Sequence, residues 1–209
     1  MRTIWSYALL AVVLLLLSAC ESGGKFIVFN NSSYPVYTAV DSGPQVTIPA
    51  GGMHSFEIDT KTQSLFSGEV KRTVPVFLKG ETYSMEDAYH ENLWTDNTTI
   101  IIYAGEVLQA YVNPNRACIK VTNNSSQTIT EATIYKNAGV IPTPFAVITN
   151  ILPGESKFQR VDYYTTSNQF FYQIELKTED GNTYNYGDAS TTMLLKDEQY
   201  PIVFTDPVK

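Results

Sequence analysis

Phe26-Ile27-Val28-Phe29-Asn30-Asn31-Ser32-Ser33 recurs as Ile119-Lys120-Val121-Thr122-Asn123-Asn124-Ser125-Ser126, 93 residues downstream. A chain that repeats itself is constrained to build one unit twice. Thr98-Thr99-Ile100-Ile101 and Thr191-Thr192-Met193-Leu194 keep the same spacing, as do Pro114 and Pro207. Between these ends the landmarks hold their order while the spacing drifts upward. Ile48-Pro49-Ala50-Gly51 corresponds to Leu152-Pro153-Gly154, and Phe56 and Asp59 to Phe158 and Asp162. Glu69-Val70-Lys71 answers Glu175-Leu176-Lys177, and Gly80-Glu81-Thr82-Tyr83 answers Gly181-Asn182-Thr183-Tyr184. An insertion near 137–147 in the second copy and extra residues near 85–97 in the first account for the drift. The pattern predicts two units, residues 25–114 and 116–209, decorated in their loops.

Each copy reads as short strands punctuated by turns, spaced as in a β-sandwich. The first offers Phe26–Phe29, Val36–Val40, His54–Ile58, Leu65–Lys71, Val74–Leu78, Thr99–Tyr103 and Val107–Val112. The second offers Ile119–Thr122, Ile129–Tyr135, Ala146–Ile151, Lys157–Val161, Phe170–Thr178, Thr183–Tyr186, Thr192–Leu195 and Ile202–Thr205. Phe170, Tyr172, Ile174 and Leu176 alternate with Phe171, Gln173, Glu175 and Lys177, which packs one face and wets the other. Asp180-Gly181-Asn182 supplies a hairpin turn after that strand. The expected fold is all-β: two tandem Ig-like or transthyretin-like antiparallel β-sandwich domains after a cleaved signal peptide.

Composition agrees. Hydrophobic content of 44%, 12% aromatics and 14 tyrosines suit packed strands. The net charge of −7, which becomes −8 without Arg2, disfavours nucleic acid as a partner. It also means that attraction to anionic lipid cannot hold the mature chain to a bilayer. Cys20 and Cys118 are the only cysteines, so no disulfide framework is available. Cys118 reads as a small buried apolar residue rather than a reactive thiol.

Arg2 followed by the apolar run Ala8–Leu17 has the form of a signal peptide. The run is too short to span a bilayer. Leu17-Ser18-Ala19-Cys20 resembles the lipobox of bacterial lipoproteins. That resemblance implies cleavage of residues 1–19 and a diacylglycerol thioether on Cys20, completed by a further acyl chain such as palmitate. Two or more chains attach a protein almost permanently, whereas one holds it marginally. In that family the residue after the cysteine influences sorting, and Glu21 favours the outer membrane. Residues 20–24 are expected to form a short tether. The order of turns and strands is similar to the repeated sandwich modules of spirochaete and Bacteroidetes-type envelope lipoproteins. A place on the periplasmic face or cell surface follows from both likenesses.

Chemistry-bearing stretches are few. Met85–Trp94 reads as a short helix, with Asp87, His90 and Glu91 on neighbouring turns. Without a second histidine at ligand spacing these read as a solvated face, and no metal or cofactor is expected. His54 reads as a strand-surface residue. Val140–Ile148 is an apolar loop in which Ile141, Pro142, Pro144 and Phe145 could form a rigid recognition surface, or which folds over the open end of the sandwich or packs against the first unit. Tyr163 and Tyr164 join aromatic faces to nearby hydroxyl and amide groups, as in many sugar and protein contacts. Asn30, Asn97 and Asn123 open glycosylation sequons that read as turns. No nucleophile elbow, phosphate loop or dinucleotide fingerprint is present in the sequence.

The sequence therefore favours a non-catalytic envelope lipoprotein, with adhesion, scaffolding or capture of a protein or glycan as its role. A small carbohydrate- or peptide-binding lipoprotein of an uptake system is the alternative. A carboxylate-based hydrolase is more distant.

Overall fold

The computed structural model describes residues 23–60, 71–86 and 94–206. The leader, Cys20, the expected strand residues Leu65–Val70, the group Asp87, His90 and Glu91, and Pro207 lie outside the described residues.

The first repeat supplies β1 (Gly23–Asn30), β2 (Val36–Val40), β3 (Val46–Ile48), β4 (Met53–Asp59) and β5 (Lys71–Gly80). It continues with β6 (Met85–Glu86), β7 (Trp94–Thr95), β8 (Asn97–Tyr103) and β9 (Val107–Val112). The second supplies β10 (Ala117–Asn123), β11 (Ile129–Asn137), β12 (Thr143–Ile151), β13 (Ser156–Val161), β14 (Phe171–Thr178), β15 (Thr183–Tyr186) and β16 (Gln199–Phe204). The protein is all-β. Residues 23–112 form a three-stranded sheet, β4-β1-β9, facing a four-stranded sheet, β3-β2-β5-β8. Residues 117–204 repeat the arrangement as β13-β10-β16 and β12-β11-β14-β15. Pairing is not wholly antiparallel, because β1 pairs parallel with β9 and β10 with β16. First and last strands of a unit lie side by side in one sheet and run the same way. The remaining strands reverse direction between them.

Each sandwich has its own core. Phe26, Val28, Val36, Val74, Val76 and Ile102 anchor the first. Ile119, Val121, Ile134, Tyr172, Ile174 and Leu176 anchor the second. The alternation through Phe170–Leu176 is realised: the four expected inward residues are buried. Gly181 closes the β14–β15 hairpin at φ 83, a conformation that costs glycine little.

The Asn-Asn-Ser repeat proves to be a clasp between sheets. Asn30 Nδ2 donates to the carbonyls of Tyr34, Ile48 and Pro49 at 2.8, 3.1 and 3.0 Å. Its Oδ1 accepts from the Ser32 N–H at 3.0 Å and the Ser32 hydroxyl at 2.6 Å. Asn123 does the same with Gln127 and Ile151 at 2.7 and 2.8 Å, and with Ser125 at 3.0 and 2.6 Å. Both asparagines are buried. They end the first strand of one sheet while holding the end of the third strand in the other. Two of the three sequons therefore belong to the interior.

Several expectations change. Gly23 and Gly24 belong to β1, paired with Asp59 and Ile58, and not to the tether. A Cβ on Gly24 would lie 2.7 Å from Ile102 Cγ1, so close packing requires glycine there. Thr192–Leu195 is not a strand: the buried Thr192 hydroxyl donates to the Asp188 carbonyl at 2.8 Å, and its neighbours form turns. Met85–Trp94 does not begin or end as a helix, because Met85–Glu86 pairs with Trp94–Thr95 as strands. Phe56 and Phe158 are not equivalent. Phe56 faces Phe26, whereas Gln159 faces Ile119, one position on. A slip of one residue turns a side chain to the other face of a sheet. Gly80-Glu81-Thr82-Tyr83 likewise does not match the hairpin at Gly181. The amide of Glu81 bonds the Pro35 carbonyl as that of Glu179 bonds Thr128, which makes Glu81 the partner of Glu179. The expected loop at Val140–Ile148 is mostly strand: the insertion lengthens the β11–β12 hairpin, and β12 begins at Thr143.

Replacing Asn123 with alanine should lower the unfolding free energy by on the order of 3 kcal/mol, since four hydrogen bonds go together. Urea unfolding measures it. Thr38 Oγ1 is buried with no partner among the described residues, so Thr38→Val should raise stability by about 1 kcal/mol in the same assay.

Candidate functional site

The β11–β12 hairpin is where the second copy departs most from the first. Strands of 5 and 3 residues in the first copy become 9 and 9 in the second. The tip is apolar and open, with Val140 100% and Ile141 79% exposed. Pro144 sits in β12, which pairs only with β11 and so forms a sheet edge where a missing N–H is tolerated. A register shift at Ile134/Tyr135 follows the proline, and a bulge there turns Phe145.

The sequence-predicted residues do not form one site. Pro142 borders a cleft of about 210 Å³ on the outer face of the four-stranded sheet, with Tyr135, Gln173, Glu175 and Asn185. Phe145 lies on the other side of the hairpin, its ring edge-on to Tyr172 at 5.7 Å. Tyr163 packs half-buried against the second core, and Tyr164 is tied through its N–H to the Leu194 carbonyl at 2.6 Å. Tyr163 thus serves the body of the sandwich, and neither tyrosine lines the clefts beside the hairpin. His54 stacks edge-on to Phe56 at 4.7 Å on the first sandwich.

Phe145 opens onto a groove that sequence reasoning missed. Its walls are β12 and β13, the edges of the two facing sheets. One stretch, of about 380 Å³, runs past Trp94, Arg116 and Phe145. The next, of about 460 Å³, runs past Lys79, Val147 and Phe158. Gln159 borders both, so they lie end to end. The Arg116 guanidinium stacks on Trp94 at 3.8 Å, and Lys79 Nζ lies 4.8 Å from the Phe158 ring centre. The first sandwich therefore contributes Trp94 and Lys79 to a groove in the second.

That contribution depends on the junction between the sandwiches. The outer face of β13-β10-β16 packs on Tyr37 and on the segment Glu81–Ser84. Glu81 is fully buried and accepts hydrogen bonds from Tyr37 Oη at 3.0 Å, Lys120 Nζ at 2.9 Å and the Gln199 side chain. Arg160 forms a two-pronged ion pair with Asp96 and donates to the Tyr83 carbonyl at 3.0 Å. Asp197 accepts from Thr82 Oγ1 at 2.6 Å and the Ser33 N–H at 2.9 Å. The linker is held too, since Asn115 and Arg116 both donate through their amides to the Thr82 carbonyl. Phe158 and Arg160 could have been noticed from the repeat: in register they replace Ser55 and Glu57. Nothing in the core requires the exchange.

Cys118 is buried in the same junction, and burial pushes its thiol up to about 12, with Glu81 adding to the effect. Tyr37 is likewise pushed up to about 12, by burial first and then by its bond to Glu81. A thiol so protonated is a poor nucleophile. Among the described residues no group of three or more His, Cys, Asp or Glu is placed to hold a metal ion.

No family model matches the chain, and no curated protein matches it. Among solved structures, it is similar to the fimbrial anchor protein Mfa2 of Porphyromonas gingivalis (7% identity, TM-score 0.30). That alignment covers 88% of this chain and 91% of that one. A putative cell adhesion protein of Bacteroides ovatus shares 11% identity at TM-score 0.31, over 90% of this chain and 94% of that one. The Bacillus anthracis TIE protein shares 11% identity at TM-score 0.31, over 88% of this chain, which spans about 34% of that protein.

Both shifted groups hold their protons more tightly folded than unfolded. Their contribution to stability is complete below the ordinary values of 9.0 for Cys118 and 10.0 for Tyr37, and is lost as pH rises toward 12. Unfolding midpoints in urea should therefore fall across that alkaline window. In Cys118→Ala the fall should be shallower, and the loss should begin nearer pH 10.

Proposed function

We propose that this chain is a bacterial envelope lipoprotein, held by lipid on Cys20, that acts without catalysis as an adhesion or scaffolding component. In this reading residues 1–19 are removed, the sandwiches of residues 25–114 and 116–209 form a rigid tandem body, and the outer membrane is the anchoring surface. The observation that carries it is the lengthened β11–β12 hairpin. It spends an insertion on an exposed apolar tip that the first copy, with the same fold, lacks. Exposed apolar residues at one protruding point mark contact with a partner rather than support for the core. The charged side chains supply further support. Arg116 and Lys136 pair with Asp162, Lys120 with Glu81 and Arg160 with Asp96, each holding structure together.

A second reading, capture of a small glycan or peptide for uptake, is favoured by one feature. The cleft beside Pro142 sets the Tyr135 ring among Gln173, Glu175 and Asn185. Aromatic faces beside amide and carboxylate groups hold sugars well.

Intact-mass analysis of the protein from native membranes should show an acylated Cys20 as its first residue. An unmodified chain starting at Met1 would remove the anchor. A photo-crosslinking amino acid at position 141 should capture a defined envelope protein or glycan in intact cells. Failure to crosslink from that tip, beside a productive control position, would end the hairpin's assignment as the contact point.

A further inference from the structure

The groove between β12 and β13 recurs in the first copy. There a cleft of about 550 Å³ is lined by the run His54–Asp59 of β4 and by Val46 of β3. The matching run in the second copy is 157–162, because Asn30 bonds the Gly52 carbonyl as Asn123 bonds that of Glu155. Both sandwiches thus stay open along the same side, where the edge strands of their two sheets face each other. What differs is charge. Asp41, Glu57 and Asp59 line the first cleft against Arg72 and His54. Lys79, Arg116, Lys157 and Arg160 line the second; Arg116 pairs with Asp162, Arg160 with Asp96 and Lys157 with Glu155, while Lys79 lies over the Phe158 ring. A chain of net charge −7 has gathered four of its cations along one groove.

We propose that this groove receives an extended acidic peptide, added as a strand along the edge of β12. The inference deepens the partner-binding reading above and rests on it. Three features converge. β12 pairs on one side only, so its outer C=O groups, and its outer N–H groups apart from the one Pro144 lacks, are a template for another strand. Lys157 Nζ blocks part of that edge by donating to the Thr149 and Asn150 carbonyls at 3.1 and 2.8 Å, leaving residues 143–148. Phe145 and Val147, 37% and 50% exposed, flank the free stretch on opposite faces of β12, because the bulge turns Phe145 toward Tyr172 while Val147 lies beside Thr133. The groove runs beside β13 from Ser156 to Asp162, and at about 3.3 Å per residue that admits about six residues of peptide. The first copy bars the same route by shortening its edge strand to Val46–Ile48. Lys79 and the excess of cations over acids along the walls favour carboxylates on the incoming strand. They act chiefly by steering and by rejecting basic sequences.

The probes are two fluorescein-labelled eight-residue peptides, one alternating Val with Glu and one alternating Val with Lys. Titrated against the mature chain in detergent, the Val/Glu peptide should bind at least about tenfold more tightly, and more weakly as salt rises. The double substitution Lys79→Glu with Lys157→Glu should reverse the order. Hydrogen exchange should slow at the amides of residues 143 and 145–148 when the acidic peptide is bound. Equal affinities, a preference for the basic peptide, an unchanged order in the double variant, or protection elsewhere would each overturn the proposal. Position 141 crosslinking in cells while the peptides fail would leave the hairpin reading standing and remove the groove.

Discussion

The buried Asn-x-Ser clasp is the interaction on which each sandwich depends. Two sheets meeting across an apolar core are held by non-directional forces, which set a distance and leave the relative register loose. Asn30 and Asn123 remove that freedom. Each amide spans from the end of the first strand to the carbonyls closing the third, and each carbonyl oxygen is consumed by the serine two residues on. A buried amide with every bond satisfied is specific because any other alignment would strand polar atoms away from water. That the same five-residue geometry recurs in both halves explains why this stretch is the part of the repeat most plainly kept.

With two such bodies defined, the next constraint is how they meet. The segment that leaves β5 meets the second sandwich, with Glu81 and Thr82 fully buried. A buried carboxylate is costly unless its bonds are made, and three donors from β2, β10 and β16 make them. Such a network contributes more to fixing geometry than to net stability. Its consequence is positional: Trp94 and Lys79 are delivered to the side of β13, and a groove acquires walls from both copies.

The duplication also serves as an internal control. Where both copies carry the Asn and Ser of the clasp, the fold accounts for them. Where equivalent positions differ without a change in the core, as Ser55 against Phe158 or Glu57 against Arg160, a contact outside the sandwich accounts for the difference. The hairpin at Ile141 and the cations along β13 both belong to that second kind.

Period-two alternation and turn residues sufficed to read an all-β chain and to place most strands, because these signals are local. Phe170 to Leu176 could be assigned a face with no knowledge of its neighbours. What tertiary structure alone decided was which copy's residue faces which. Phe158 and Phe56 look equivalent along the chain, yet one position of register sends them to opposite faces. The role of Asn30 and Asn123 depended on carbonyls 18 and 28 residues away, and the burial of Glu81 depended on the other half of the molecule. Sequence carries the pattern of each strand, whereas register and the meeting of two bodies arise from long-range contacts that no local run of residues contains.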